Sequence, residues 1–123
     1  MTAWTRPQRL AQNMYAHSKE QQDLFVEGFV RGYQYRLRPA GVVVNAMAER
    51  LQLINKLPVR SVVEEPADAG LLAGLFFGFV DTHDLASLEE DLRKVIVVFG
   101  KKIRALSPFI NAEVTKKIAQ LLS

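Results

Sequence analysis

Two histidines, His17 and His83, are the only imidazoles in the 123-residue chain, and it has no cysteine. That composition excludes a thiolate nucleophile, a disulfide scaffold, a thiolate zinc site and an iron–sulfur cluster. His83 stands in Asp81-Thr82-His83-Asp84, with Glu89 and Glu90 a turn or two further on. Oxygen ligands with one imidazole are the kind of set that holds a divalent ion. The segment lacks the glycine and the alternating acids of a calcium-binding helix–loop–helix, so it reads as a capped turn between helices, and no metal ligand is assigned. His17 has no carboxylate partner in the pattern around it and reads as a helix-end or surface residue. No Gly-rich phosphate loop, nucleophile elbow or dinucleotide fingerprint is present. With nucleophile, base and orienting group all unassigned, the chain is expected not to be an enzyme, and no cofactor or small-molecule substrate is assigned.

The more informative spacing is that of glycine. Gly70, Gly74 and Gly78 recur every four residues, and Gly28 with Gly32 repeats the step earlier in the chain. On a helix such positions share one face and open a groove in which another backbone can lie close. Each helical glycine costs about 1 kcal/mol relative to alanine, so something must fill those grooves. The first expectation is another helix of the same chain; the functional alternative is a partner's helix or a second copy. On that alternative, Gly70, Gly74, Phe76, Gly78 and Phe79 are the candidate protein-contact residues.

A second cluster is Arg31, Tyr33, Tyr35, Arg36 and Arg38, three cations and two aromatic rings within eight residues. Cations that meet phosphates and rings that stack on bases are what single-stranded nucleic acid requires. The ordinary explanation is a solvated helix end whose arginines complement the helix dipole, with Tyr33 in the core. Charge is also strongly ordered along the chain, with net +5 over residues 1–60, −8 over 61–91 and +6 over 92–123. A basic C-terminal face of Lys101, Lys102, Arg104, Lys116 and Lys117, joined to the arginine–tyrosine cluster, forms the candidate nucleic-acid surface. The competing expectation is that the acidic middle lies beside its basic flanks and neutralises them.

The elements that must position these groups are helices throughout. Thr5 and Pro7 open a short helix to about His17, with Thr5 as its cap. Ser18-Lys19-Glu20-Gln21 spells a capping box before a helix from 19 to about 37, which Pro39 ends. Val43, Met47, Leu51 and Ile54 mark one stripe of a third helix that starts at Pro39 or Ala40 and stops before Pro58. Residues 59–65 are the only place where a strand is tempting, and they are too few to decide. Pro66 starts the apolar helix that holds Gly70, Gly74 and Gly78. Leu85, Leu88, Leu92, Val95, Phe99 and Leu106 place one long helix over about 85–106. Ser107-Pro108 starts a last one, marked by Ile110, Val114, Ile118 and Leu121 or Leu122. The expected fold is all-α: a compact bundle of five to six helices in one domain, 1–123, with the glycine-spaced apolar helix at its centre.

Apolar residues make up 49% and charged residues 24% of the chain, enough to build a core and too little net charge, at +3, for a disordered one. The longest stretch without a polar side chain, residues 69–80, is well short of the roughly 20 residues a bilayer span needs, and the first residues carry no signal-peptide-like apolar run. A cytoplasmic location is therefore expected, with an organellar address left open. Taken together, the expected function is that of a small regulator or adaptor that binds a protein through a helix, alone or as a homodimer. The alternatives are a nucleic-acid-binding helical domain and an accessory subunit of a larger assembly.

Overall fold

The computed structural model describes residues 5–122. In order along the chain, the α-helices among them are α1 (Thr5–Met14), α2 (Lys19–Tyr33), α3 (Ala40–Ile54), α4 (Val59–Val63), α5 (Pro66–Thr82), α6 (Glu90–Ile103) and α7 (Pro108–Leu122). Single 3-10 turns follow α2 at Gln34–Leu37, precede α6 at Leu85–Ser87 and follow it at Arg104–Leu106. No strand occurs among the described residues. Residues 1–4 lie outside the description, and so does the capping expected of the Thr5 side chain.

Local signals account for most boundaries. Ser18 has extended backbone and its hydroxyl accepts from the Gln21 N–H at 3.1 Å, so α2 begins where its capping residue stands. Pro39 draws Arg38 into extended backbone, with ψ of 162°, and α2 runs out through the tighter 3-10 turn rather than as α-helix to 37. Residues 59–63 form one α-helical turn enclosed by Pro58 and Pro66 rather than a strand.

The expected long helix over 85–106 is shorter, because the chain is extended at Leu88 and Glu89 and α6 begins only at Glu90. The physical reason is a side chain eight residues away from Leu85. The Arg93 guanidinium donates to the carbonyls of Leu85, Ala86 and Leu88 at 3.3, 3.4 and 3.1 Å. In a continuous helix those oxygens would accept backbone N–H groups four residues on. Arg93 also reaches the Leu121 carbonyl at 3.3 Å, tying this turn to the end of α7.

A hydrophobic cluster runs through all seven helices, from Leu10 on α1 to Leu121 on α7. The expected stripe Val43, Met47, Leu51 and Ile54 of α3 is buried, as are Ile110, Val114, Ile118 and Leu121 of α7, while Leu122 is 65% exposed. Every residue of α5 from Leu72 to Val80 is buried. Helix α5 packs against α2, α3, α4 and α6; α6 and α7 form an antiparallel pair, with Arg93 beside Leu121 and Gly100 beside Ile118.

Helices α2 and α5 make the most extensive helix contact, and they run parallel. A β-carbon placed on Gly28 or Gly32 would fall on the carbonyl oxygens of Ala67 or Leu71 in α5, and one on Gly70 or Gly74 would fall on those of Phe25 or Phe29 in α2. All four separations are under 3.0 Å, closer than real β-carbons come to any atom, and Gly78 meets the Tyr33 carbonyl at 3.0 Å. The contacts alternate between helices, so each supplies glycines for the other's carbonyls. The glycine C–H that points where Cβ would be points at an oxygen, the arrangement of Cα–H···O contacts worth roughly 0.5–1 kcal/mol each. Close backbone approach thus offsets the helix-propensity cost of the glycines.

Candidate protein-binding groove

The residues singled out for protein contact are placed in the core. Gly70, Gly74, Phe76, Gly78 and Phe79 are all buried, the glycines against α2, Phe76 edge-on to Phe77 at 5.5 Å and Phe79 stacked on His83 at 4.3 Å. Of the two expectations for that face, another helix of the same chain or a partner, the first holds: α2 fills the glycine groove, and Gly70, Gly74 and Gly78 leave no room there for an outside helix.

The arginine–tyrosine cluster is drawn mostly into packing. Tyr33 stacks on Phe29 at 5.8 Å, and its hydroxyl donates to Asp81 at 3.1 Å. Arg36 lies over the Tyr33 ring at 4.5 Å and donates to the Tyr33 carbonyl at 3.1 Å. Asp81 also receives Arg6, a residue 75 positions away that lies over the Phe77 ring at 4.7 Å and reaches Glu113 at 3.3 Å. Burial and the Asp81 carboxylate both push the Tyr33 phenol above its ordinary pKa. Arg38 covers Tyr35 at 5.5 Å, and exposed Arg31 pairs with Glu27 at 3.7 Å. The rings that would stack on bases are thus occupied by the chain's own side chains.

The charge blocks meet only sparingly. Among the described residues two ion pairs join the acidic middle to a basic flank, Arg6 with Asp81 and Lys94 with Glu90. Lys101, Lys102, Arg104, Lys116 and Lys117 form no ion pair with a described residue, and Lys101 and Lys116 are exposed. Asp84 caps the turn after α5 by accepting from the Ala86 N–H at 3.1 Å, as its place in the polar break implies.

The surface feature of most interest lies where α3 ends and α5 begins. α3 ends at Ile54, Pro58 (φ −66°, ψ 151°) stands before the single turn of α4, and Glu65 (φ −112°, ψ 84°) leads into Pro66, the first residue of α5. The three elements enclose a groove of about 410 Å³. Ile54, Val62 and Leu72, all buried, form its floor. Leu53 and Leu57 stand at its edge, 61% and 47% exposed. Arg50, on α3, and Lys56, two residues past its end, line the groove from that side of the junction, and Glu65 and Asp68 line it from the start of α5. Asp68, in the first turn of α5, suits the dipole at that helix's N-terminus. None of the four forms an ion pair with a described residue, although all line one groove.

A larger groove of about 500 Å³ between α1 and α2 is lined chiefly by polar side chains such as Gln8, Gln12, Gln22 and Asp23. Ala11, Val26 and Val30 supply its apolar part, and no strongly exposed large apolar side chain stands at its edge.

The groove at the α3–α5 junction was partly visible in the sequence. Leu53 falls off the Val43–Met47–Leu51–Ile54 stripe and is apolar all the same, which marks it as surplus to the core. That Arg50 and Glu65 stand at one recess has no local signal, because it depends on how the chain turns between two prolines. Among the described residues no helix is long and apolar enough to cross a membrane, and no group of three or more His, Asp or Glu side chains is arranged to hold a metal ion. Comparison with protein-family models, curated proteins and solved structures gave no match.

Proposed function

We propose that this chain is a small non-enzymatic regulator or adaptor that works by binding protein, in a cytoplasmic setting, and that the groove between α3, α4 and the start of α5 is its contact surface. In this reading α5 is the central helix of the bundle. Locked to α2 by the reciprocal glycine contacts, it serves as a rigid strut, and the binding face lies at its N-terminal end rather than along its glycines. The carrying observation is the coincidence of two exposed leucines, Leu53 and Leu57, with buried apolar residues and charged side chains in one groove. A buried apolar centre with a polar rim is the anatomy of protein interfaces, and a helix laid in an apolar groove is a recurrent mode of peptide recognition.

The test is position-specific photo-cross-linking in the cells that make the protein. A photoreactive residue at position 53 is expected to give a discrete adduct, identified by mass spectrometry. The adduct should be absent with the photoreactive residue at exposed Asn111 and lost when Leu57→Glu is added. Equal labelling from positions 53 and 111, or none from 53, overturns the reading.

One observation favours a second reading, binding of nucleic acid by the C-terminal basic residues: the absence of ion pairs at Lys101, Lys102, Arg104, Lys116 and Lys117 among the described residues. It requires retardation of DNA or RNA at about 50 mM salt that fades steeply as salt rises, since each neutralised phosphate releases a counterion.

A further inference from the structure

We infer that the occupant of the α3–α4–α5 groove is a second copy of this chain, docked groove to groove about a two-fold axis that runs along the groove. The inference rests on the protein-binding reading above and narrows it to self-association.

Charge complementarity is the argument. In a two-fold interface the same patch serves on both sides, so the patch must complement itself. Most charged patches fail this requirement, because like charges meet. This one meets it: its cations, Arg50 and Lys56, come from α3 and the residues just after it, and its acids, Glu65 and Asp68, come from the start of α5. An axis along the groove, between the two sets, places the cations of each copy against the acids of the other. Every charge on the rim then gains an opposite partner, which none has within the described residues of one chain.

The apolar residues obey the same operation. Leu53 and Leu57 stand on the cationic side, so the rotation carries them toward the recess of the other copy, over Val62 and Leu72. They stand proud, at 61% and 47% exposed, while the floor residues Ile54, Val62 and Leu72 are at most 7% exposed, so the patch offers both a projection and a hollow. A partner with a single-sign face would satisfy only one set of charges and leave the other repelled or unpaired. The crossed rim charges fix the register of the two copies, and the leucines supply the buried centre.

The experiment is sedimentation equilibrium of the full chain with reciprocal charge reversal. The wild-type mass should rise from 13.9 kDa toward twice that value as concentration increases through the micromolar range. Arg50→Glu with Lys56→Glu, and separately Glu65→Lys with Asp68→Lys, should each stay monomeric at concentrations where the wild type has doubled. Mixed in equal amounts, the two variants should recover the doubled mass, because each supplies the charge the other now needs. Leu53→Glu, a change at an exposed site that leaves the rim intact, should also abolish doubling, and circular dichroism confirms that each variant keeps its helices. Three results overturn the inference: a wild type that stays at 13.9 kDa throughout, doubling that neither charge variant impairs, or variants that do not re-associate with each other. A monomeric wild type leaves the wider protein-binding reading standing, since that falls only on the cross-linking outcome at position 53.

Discussion

The carbonyl oxygen of Phe29 occupies the place where a β-carbon on Gly74 would stand, and the Tyr33 N–H lies 2.9 Å from the same point. Residues of two helices separated by more than 40 positions in the chain thus meet through backbone alone. The obstacle to any larger residue at Gly74 is main chain held in α2, which cannot rotate aside as a side chain can. Replacing Gly74 with alanine is expected to destabilise the fold by about 3 kcal/mol despite alanine's better helix propensity, since overpacking that must shift backbone lies at or above the usual 1–3 kcal/mol. Gly41 on α3 is the internal control, with open space where its β-carbon would be. Gly41→Ala is expected to stabilise by a few tenths to about 1 kcal/mol. Thermal melts of the two variants should move in opposite directions; a Gly74→Ala protein as stable as wild type would contradict the close α2–α5 packing.

Arg93 is expected to matter more than its place on a charged helix suggests. Its guanidinium serves four carbonyls, three in the turn before α6 and one at the end of α7. Arg93→Met keeps much of the apolar stem and removes the donors, and should cost about 2 kcal/mol, the range for hydrogen bonds from a charged group. Hydrogen exchange should accelerate first in residues 84–89 and at the C-terminal end of α7. Uniform acceleration across all helices would argue against this local role.

Stability should fall at alkaline pH. Burial pushes the Tyr15 phenol up to about 12 from 10.0, and its hydroxyl donates to the Val63 carbonyl at 2.7 Å. Because the folded state holds this proton more tightly than the unfolded state, the stability it contributes is fully present below about pH 10 and is lost as pH rises toward 12. With solvent screening of this part-buried hydroxyl, the loss is on the order of 1 kcal/mol. Tyr33, shifted in the same direction, adds to the fall. Urea melts between pH 9 and pH 11.5 should show this slope, and Tyr15→Phe should flatten it.

Asp81 ties α1 and α2 to α5 by receiving Arg6 from the first and the Tyr33 hydroxyl from the second. Asp81→Asn should lower stability by about 1 kcal/mol, and a double-mutant cycle with Arg6→Ala should return a coupling of about 0.5–1 kcal/mol, since both side chains are partly solvated. The Tyr33 phenol should then titrate at lower pH, because the carboxylate that helps raise its pKa is gone. An unchanged Tyr33 titration in Asp81→Asn would refute that cause.

Much of the fold was legible in one dimension. The Ser18 cap, the proline boundaries at 39, 58 and 66, and the stripes of α3 and α7 are local signals, and local backbone chemistry obeys them. The failure at residues 85–89 is instructive for the same reason. Leucines at helical spacing cannot reveal that Arg93 will take the carbonyls a helix there would need. The candidate site was less legible. Gly70, Gly74 and Gly78 announce a close approach without naming what approaches, while Leu53 and Leu57 carry only the weak signal of apolar residues off the stripe.

What the sequence determined by itself is a chain of helices without thiol chemistry, with glycines demanding a backbone neighbour and charge ordered as basic, acidic, basic. Those properties follow from residue type and from neighbours three or four positions away. Tertiary structure alone decided that α2 fills the glycine groove, that Arg6 finds Asp81, and that Arg50 and Lys56 line the same recess as Glu65 and Asp68. Each of these joins residues far apart in the chain, whose meeting depends on how whole helices pack rather than on any spacing along them.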